Sequence, residues 1–308
     1  MALSVALFFW LNNCQTQHEQ LHQLMQAGST NNRWGYDTLY FTDSLFPVVT
    51  VETENSKQRW LIDLSLPCLS TTVTHTTVQL PLINAAGDTL SRSFGYMPPL
   101  RIGNSVFEGI GSGLLTSAAQ ALLQTYNIQG IIGANLMQHS TWYFDWEQNC
   151  VIVAPSPEKF ISLPQTIAIP FNRNIYRSPK WQLQFNRFPY RLVLQPSTGF
   201  AGGVLMDAEF SANYKSFMYD RLLQTIAFPE SIHGISSGQG LYMDSLQIEQ
   251  LYNFDNLPVI RSKSSYALLG LTFLHRYNFT VDWRQRMIWL HPRLQPNQRG
   301  SIKSQRLP

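Results

Sequence analysis

Residues 131–153 read IIGANLMQHSTWYFDWEQNCVIV, and residues 268–290 read LLGLTFLHRYNFTVDWRQRMIWL. In both stretches two apolar residues precede a glycine, Gly133 or Gly270, and an Asp-Trp pair begins twelve positions after that glycine. A glutamine follows two positions after the tryptophan in each copy. This shared spacing predicts an internal duplication, and therefore a protein with two similar lobes.

Length and composition are consistent with two lobes. The chain has 308 residues, enough for two domains with separate cores, since a domain takes roughly 100 to 200 residues. Charged residues make up 13%, below the roughly 25% of an average soluble domain, and this balance favours a sheet-rich protein. The net charge of +3, without a dense basic run, argues against nucleic acid or an anionic membrane surface as a partner.

The N-terminus leaves two interpretations open. Ala2 to Leu11 is almost wholly apolar and Cys14 follows it. Such a stretch is too short to span a bilayer, which needs about 20 residues, but it has the length of a signal-peptide core. No Lys or Arg precedes it, and Asn12 and Asn13 stand before the cysteine. Export with a lipid anchor on Cys14 predicts a periplasmic or membrane-attached protein, whereas a plain apolar N-terminal helix predicts a cytoplasmic one.

The chain divides into four predicted parts. Residues 1–35 form the possible signal or lipid-anchor segment and a polar linker that includes a short helix. Residues 36–156 form the first lobe, residues 157–294 the second, and residues 295–308 a basic flexible tail. The boundary falls at Pro155-Ser156-Pro157, because prolines interrupt both helices and strand ladders. In both lobes short β-branched and aromatic runs alternate with turn residues, as in strands, and Thr116 to Tyr126 is the one stretch that predicts a helix.

Corresponding motifs follow one another in the same order in both halves. In the first half a strand leads to Asp63-Leu64-Ser65, and a turn that ends at Gly87 and the segment before Gly133 come later. In the second half a strand leads to Ser197-Thr198-Gly199, and a glycine-rich turn around Gly238 and the segment before Gly270 come later. This order resembles the retropepsin-like and pepsin-like aspartic peptidases, in a bilobal, bacterial-type form. In that family a strand delivers Asp-Thr/Ser-Gly to a cleft between the lobes.

The resemblance implies an all-β, two-lobed aspartic-peptidase-like fold with barrel-like lobes, an interlobe cleft and few short helices. It places Asp63 and Ser197 at the two catalytic positions. It places Ser65, Thr198, Gly199, Gly87 and Gly238 in the cleft and its flaps, and it assigns Gly133 and Gly270 a structural role. In the family two carboxylates share a proton, and one of them acts as base toward a bound water while the other donates to the peptide carbonyl.

The sequence departs from the family pattern at the positions that carry this chemistry. Leu64 and Ser65 stand where a hydroxyl residue and a glycine are expected, and Ser197 stands where the second aspartate is expected. Shifting the second half by two residues places Gln195 there instead. Neither alignment supplies a second carboxylate, so the water-activating pair is predicted to be broken. Asp207 and Asp244 are interpreted as surface or turn residues, and Asp145 and Asp282 as structural.

Three rival sites are weaker. His18-Glu19-Gln20-Leu21-His22 matches the HExxH zinc motif, but it lies in a glutamine-rich segment before the first strand and no third ligand follows. The run from Gly199 to Gly203 is not followed by the Lys-Ser/Thr of a phosphate loop. Ser197 has no histidine near it in sequence to serve as its base, and the remaining histidines are interpreted as isolated. Neither a metal nor another cofactor is therefore expected.

Three cysteines, Cys14, Cys68 and Cys150, show no metal-ligand spacing, and whether Cys68 and Cys150 pair stays open. The favoured function is a degenerate, non-catalytic peptidase relative that holds an extended peptide or polypeptide segment in its cleft by strand addition. The alternative is an active aspartic endopeptidase that combines Asp63 with an unplaced second carboxylate, or with Asp63 of a second subunit. A third possibility is a structural protein in which the cleft has filled. The oligomeric state stays open.

Overall fold

The computed structural model describes residues 16–31, 35–54, 56–163, 165–184, 191–209, 224–243, 247–248, 257–262 and 266–293. Most of the regular structure in these ranges is β-strand, so the predicted all-β class is confirmed. The helices that lie wholly within these ranges are short and are α1 (residues 16–26), α2 (Ser117–Gln124), α3 (Ala134–Met137), α4 (Glu158–Ile161) and α5 (Leu271–Leu274). Helix α2 lies within the predicted helical stretch, and the Thr116 side chain caps its N-terminus by accepting a hydrogen bond from the amide of Ala119 at 3.2 Å.

The first half of the chain builds one large, mixed sheet, which has 11 strands among the described residues. Its centre is a parallel pair that ends at Asp63 and Gly133. The strands, in chain order, are β1 (Ser29–Thr30), β3 (Val48–Glu52), β4 (Lys57–Asp63), β5 (Leu69–Ser70), β6 (Thr74–Val78), β7 (Leu82–Ile83), β8 (Thr89–Tyr96), β9 (Leu100–Ile102), β10 (Ser105–Glu108), β11 (Gly111–Leu115) and β12 (Gly130–Gly133).

The second half builds a corresponding sheet, with nine strands in the part of the chain that the structure describes. It too has a parallel pair at its centre, formed by the strands that end at Pro196 and Leu269. Its strands are β16 (Asn172–Arg173), β17 (Pro179–Gln184), β18 (Arg191–Pro196), β19 (Val204–Met206), β20 (Gln224–Ala227), β21 (Ser237–Met243), β22 (Gln247–Ile248), β23 (Leu257–Arg261) and β24 (Leu268–Leu269).

A six-stranded sheet joins the halves. It consists of β2 (Asp37–Tyr40), β13 (Thr141–Asp145), β14 (Cys150–Ala154), β15 (Ile167–Pro170), β25 (Tyr277–Asp282) and β26 (Met287–Pro292). Strands β13 and β25 are the repeated stretches, and they pair antiparallel with Tyr143 opposite Thr280. Each of these two residues lies ten positions after its glycine, Gly133 or Gly270. Equivalent residues of the two copies thus face each other, as they must beside a two-fold axis.

The main hydrophobic core is continuous across the halves. The largest cluster of buried apolar residues extends from Leu21 to Leu290 and includes residues on both sides of the predicted boundary. The length of the chain allows two separate cores, and the structure differs because the shared six-stranded sheet contains strands from both halves. A second, smaller cluster contains Ala85 of the first half among residues of the second half such as Phe200 and Ile260.

The N-terminal segment contributes to the core. Leu21, Leu24 and Met25 lie on one face of α1 and are buried, and β1 pairs with β10. The folded part therefore begins before Tyr36, because apolar residues spaced three and four positions apart give even a polar helix one packing face. The apolar N-terminal stretch, Cys14 and the 295–308 tail lie outside the described residues. Among those described, no helix is long and apolar enough to cross a membrane.

Candidate functional site

The register of the central strands identifies the position equivalent to Asp63. In the first lobe β4 and β12 run parallel with Asp63 opposite Gly133. In the second lobe β18 and β24 run parallel with Pro196 opposite Leu269, so the next residue, Ser197, lies at the level of Gly270. The amide of Ser197 also donates to the carbonyl of Leu269 at 2.8 Å. Of the two alignments left open by the sequence, the structure therefore selects Ser197 over Gln195.

Both structural glycines allow a close approach of backbone. A Cβ atom at Gly133 would lie 2.1 Å from the carbonyl carbon of Pro67, and one at Gly270 would lie 2.3 Å from the carbonyl oxygen of Gly202. Real Cβ atoms do not come this near to backbone. The two glycines thus let a loop cross directly against each central strand, next to Asp63 in one lobe and Ser197 in the other.

The carboxylate of Asp63 is fully buried, and four donor groups surround it, of which the Ser197 hydroxyl is within reach of both oxygens. Its Oδ1 atom accepts from the amide of Ser65 at 2.9 Å, from the Ser65 hydroxyl at 3.0 Å and from the Ser197 hydroxyl at 3.0 Å. Its Oδ2 atom lies 3.0 Å from Nε2 of His233. Within the described ranges the side chains that bond to Asp63 are therefore two serines and a histidine, and none is acidic.

His233 is the site residue that the sequence analysis missed. The interpretation of His233 as isolated is wrong, and although Ser197 has no histidine near it in sequence, the fold brings this one to it. Nε2 of His233 lies 3.0 Å from Oγ of Ser197 and 3.3 Å from Oγ of Ser65. His233 follows Asp63 by 170 positions, and only the folded arrangement of the two lobes brings them together, so no local pattern marks it.

The three groups nevertheless do not form a hydrolytic triad. A triad needs one imidazole nitrogen to bond to the carboxylate and the other to take the proton of the serine. Here the same atom, Nε2 of His233, faces both Asp63 and Ser197. A nitrogen that donates to the carboxylate cannot accept from the hydroxyl, so the Ser197 proton is directed to Oδ1 of Asp63. Ser197 is also fully buried.

A threonine hydroxyl braces the two lobes from one side. The hydroxyl of Thr198 donates to the carbonyl of Ile62 in the opposite lobe at 2.7 Å. Leu64 occupies the matching position of the first lobe, where it is buried and offers no hydroxyl. A different bond crosses there, from the Ser178 hydroxyl to the carbonyl of Ser65 at 2.9 Å. A Cβ atom at Gly199 would lie 2.6 Å from Oδ2 of Asp63, so only glycine lets this loop come so close.

His233 belongs to residues 228–236, which connect β20 to β21 and are called the hairpin tip below. Its central residues Ser231, Ile232 and His233 are buried, with exposures of 1%, 4% and 3%. The first-lobe turn at Asn84 to Gly87 contacts them directly. The amide of Ala86 donates to the carbonyl of His233 at 3.0 Å, and the Asn84 side chain donates to the carbonyl of Ile232 at 3.2 Å. The two turns therefore meet over Asp63.

The two predicted flap glycines, Gly87 and Gly238, lie in different surroundings. Gly87 lies in the turn that meets the hairpin tip, where its φ of +97° favours glycine and a Cβ atom would meet nothing within 4 Å. The predicted second flap, Ser236 to Gly240, lies mostly in strand β21. A Cβ atom at Gly238 would be 2.2 Å from the Ile260 side chain. Gly238 thus packs against a neighbouring strand, and the segment that reaches Asp63 precedes it.

Ile232 completes an apolar pocket in the first lobe. The pocket is lined by Ile232, Gly199 and Ser231 together with first-lobe residues, and the remaining space is about 10 Å³, roughly that of one water molecule. The first-lobe residues around it are Phe46, Leu61, Leu122, Leu123, Tyr126 and Ile128.

The remaining candidates have structural or surface positions. Asp145 and Asp282 end the paired strands and accept hydrogen bonds from backbone amides just after them, at 3.0 and 2.8 Å. Asp207 directly follows β19, and Asp244 lies outside the described residues. His18 and His22 are exposed on α1, and no group of three or more His, Cys, Asp or Glu suited to a metal occurs in the described ranges.

Cys68 and Cys150 are both buried free thiols, so they do not pair. Burial raises the pKa of Cys68 to about 12 and that of Cys150 to about 11. Sγ of Cys68 accepts a hydrogen bond from the amide of Gly133 at 3.3 Å. These thiols therefore act as small apolar residues in the core.

Comparison with known proteins gives a fold and no family. No family model matches the sequence, and no curated protein matches it. Among solved structures, the crystal structure of basic 7S globulin from soybean resembles the chain with a TM-score of 0.50 and 11% identity, covering 83% of this chain and 95% of that one. At this identity the likeness shows the fold alone. It is a pepsin-like fold, so the predicted two-lobed aspartic-peptidase-like architecture is confirmed.

Proposed function

We propose that the protein is a non-catalytic protein of pepsin-like fold that holds an extended polypeptide segment in its interlobe cleft. One observation carries the non-catalytic part. Asp63 faces a serine hydroxyl and an imidazole, at 3.0 Å each, where an aspartic peptidase has a second carboxylate.

The chemistry of an aspartic peptidase needs an acceptor for a proton of the attacking water and a second acid for the substrate carbonyl. An ionised carboxylate has about four lone-pair sites. Three of the four donors around Asp63, from Ser65 and Ser197, face Oδ1, and His233 lies beside Oδ2. The imidazole thus lies where the proton acceptor would face its water, and the neutral hydroxyl of Ser197 does not replace the second acid.

Pairing of Asp63 with its equivalent in a second subunit is disfavoured by the geometry. The side chain is fully buried, and the hairpin tip and Gly199 lie directly over it. Two copies cannot bring these carboxylates together without first removing the residues that cover them.

The polypeptide-holding part is supported by the segment that already lies in the cleft. The first lobe donates three hydrogen bonds to main-chain carbonyls of residues 230, 232 and 233. Main-chain bonds combined with side-chain pockets are the usual way in which extended peptides are recognised. The cleft therefore retains groups that hold a peptide backbone, although the catalytic pair is incomplete.

The test is incubation of the purified full-length protein with a mixed-peptide library from acidic to neutral pH, beside Asp63→Asn. Mass spectrometry follows both cleavage products and peptides that co-purify with the protein. We expect retained, intact peptides and no cleavage by either protein. Cleavage by the wild type that disappears in Asp63→Asn would overturn the proposal in favour of an aspartic endopeptidase. Neither cleavage nor retention at any pH would overturn the binding function and leave a structural protein with a filled cleft.

A further inference from the structure

We infer that residues 230–234 are an internal ligand of the cleft, and that a separate polypeptide with a branched aliphatic residue followed by histidine can take their place. This inference rests on the proposed function and names the ligand class of the same site. It follows from the contacts, the surroundings and the attachment of the hairpin tip.

The main chain of this segment is bound by the first lobe. The Tyr126 hydroxyl donates to the carbonyl of Glu230 at 3.1 Å. The Asn84 side chain and the amide of Ala86 donate to the carbonyls of Ile232 and His233. These three donors belong to the first lobe, whereas the acceptors belong to the second. The carbonyl of Ser231, between Glu230 and Ile232, instead accepts from the amide of Gly234. The segment is therefore a turn, closed by the bond from the Gly234 amide to the Ser231 carbonyl at 2.9 Å, whose main chain is also bound by the opposite lobe.

The side chains of the segment define what the site accepts. Ile232 lies against an apolar first-lobe pocket in which about 10 Å³ remains, so the pocket suits a branched aliphatic side chain. His233 donates to Asp63 at 3.0 Å, and an ionised carboxylate is an acceptor only. A ligand that displaces the segment must therefore supply its own donor at that point, or the buried carboxylate loses a partner at considerable cost.

The attachment of the segment allows exchange without unfolding of the lobe. The strands on either side pair with each other from Gln224 opposite Gly240 to Ala227 opposite Ser237, so the hairpin keeps its ladder when only its tip moves. Pro229, Glu230 and Ser236 at the edges of the tip are exposed. A groove of about 450 Å³ opens beside it, lined by residues that include Asp88, Arg92, Thr116, Glu230 and Gly234. This groove gives an incoming chain access to the buried part.

The experiment uses a fluorescent peptide with the sequence of residues 228–236, FPESIHGIS, titrated into the full-length protein. Three proteins are compared: wild type, Ile232→Ser, which weakens the internal ligand, and Ile235→Ser as the matched control. Ile235 lies in the same tip but packs against the small second-lobe cluster. The apparent affinity for the peptide is proportional to the fraction of protein in which the hairpin tip has left the cleft. Ile232→Ser raises this fraction, so we expect it to bind the peptide at least about tenfold more tightly than wild type. We expect Ile235→Ser to bind like wild type, and a peptide with Ser and Ala at the Ile and His positions not to bind. Equal affinity of all three proteins would overturn the inference.

A second measurement does not depend on the folding of a variant. Hydrogen exchange of the wild type with saturating peptide should show faster exchange in the hairpin tip, while the amide of Ala86 stays protected by its new partner. Unchanged exchange in the tip would overturn the inference. Mass spectrometry of the recovered peptide separates the two proposals. A cleaved peptide contradicts the non-catalytic function, whereas an intact peptide that never binds contradicts only the internal-ligand inference.

Discussion

Double replacement of Asp63 and His233 is predicted to destabilise the protein much less than the two single replacements suggest. The pair is almost completely buried, with exposures of 0% and 3%, and its atoms lie 3.0 Å apart. His233→Ala leaves the carboxylate with hydroxyl and amide donors only. Asp63→Asn keeps the shape of the side chain but removes the charged acceptor in front of the imidazole.

The magnitude follows from the cost of removing one partner of a buried pair. Removing one partner of a buried pair costs about 3 to 5 kcal/mol, so each single variant should lose about 3 kcal/mol of unfolding free energy. Simple addition would then give about 6 kcal/mol for the double variant. Since the second replacement removes a group that has already lost this contact, we expect about 4 kcal/mol in total, a coupling of about 2 kcal/mol.

Urea unfolding at pH 7, followed by intrinsic tryptophan fluorescence, measures all four proteins of the cycle. His139→Ala combined with Asp63→Asn is the control cycle, because His139 bonds to the carbonyl of Ala27 instead, and this pair should be additive. If the Asp63 and His233 cycle is also additive to within about 0.5 kcal/mol, the two groups are not coupled and the argument that His233 stabilises the buried carboxylate fails.

Two further predictions concern the lobe brace and the thiols. Thr198→Val should lower the unfolding free energy by about 1 to 3 kcal/mol, because the buried carbonyl of Ile62 loses its donor at 2.7 Å. Thr198→Ser keeps a hydroxyl and should lower it clearly less. Equal losses of the two variants in urea titrations would contradict a role for the hydroxyl. In a Cys14→Ser background, Cys68 and Cys150 should not react with a thiol reagent at pH 8 until the protein unfolds. Burial raises their pKa values to about 12 and about 11, so little thiolate is present at this pH. Rapid reaction of the native protein would show that these side chains are accessible.

The fold could be predicted from the sequence because the two copies keep the same spacing between their motif residues. The glycines of the two copies are required by backbone contacts at 2.1 and 2.3 Å, and the strands after them pair across a two-fold axis at Tyr143 and Thr280. Local requirements of this kind produce a pattern that can be recognised in a single sequence. The packing of α1 was underestimated, because its apolar face is only Leu21, Leu24 and Met25 and the glutamines around it dominate the composition.

The site could be predicted only in part, for a physical reason. Asp63 and Ser197 follow strands whose ends are placed by the sheet, so their positions are set by local sequence. His233 is delivered by a turn, and a turn reaches its position through contacts with a different lobe, here the first-lobe residues Asn84 and Ala86. Nothing in the residues 228–236 themselves encodes those partners. The same limit explains why the flap was expected at Gly238 rather than in the turn before it.

The serine at position 197 and the inserted hairpin tip are physically linked. Two buried carboxylates in contact can share one proton, but a single buried carboxylate needs donors from elsewhere. Ser65 and Ser197 satisfy Oδ1 of Asp63, and Oδ2 is left for His233. The imidazole thus gives Oδ2 a donor at 3.0 Å, and the same segment places Ile232 against its pocket. Because one turn makes both contacts, closure of the cleft depends on the side chain of Asp63, and any polypeptide that opens the cleft has to bring a donor of its own.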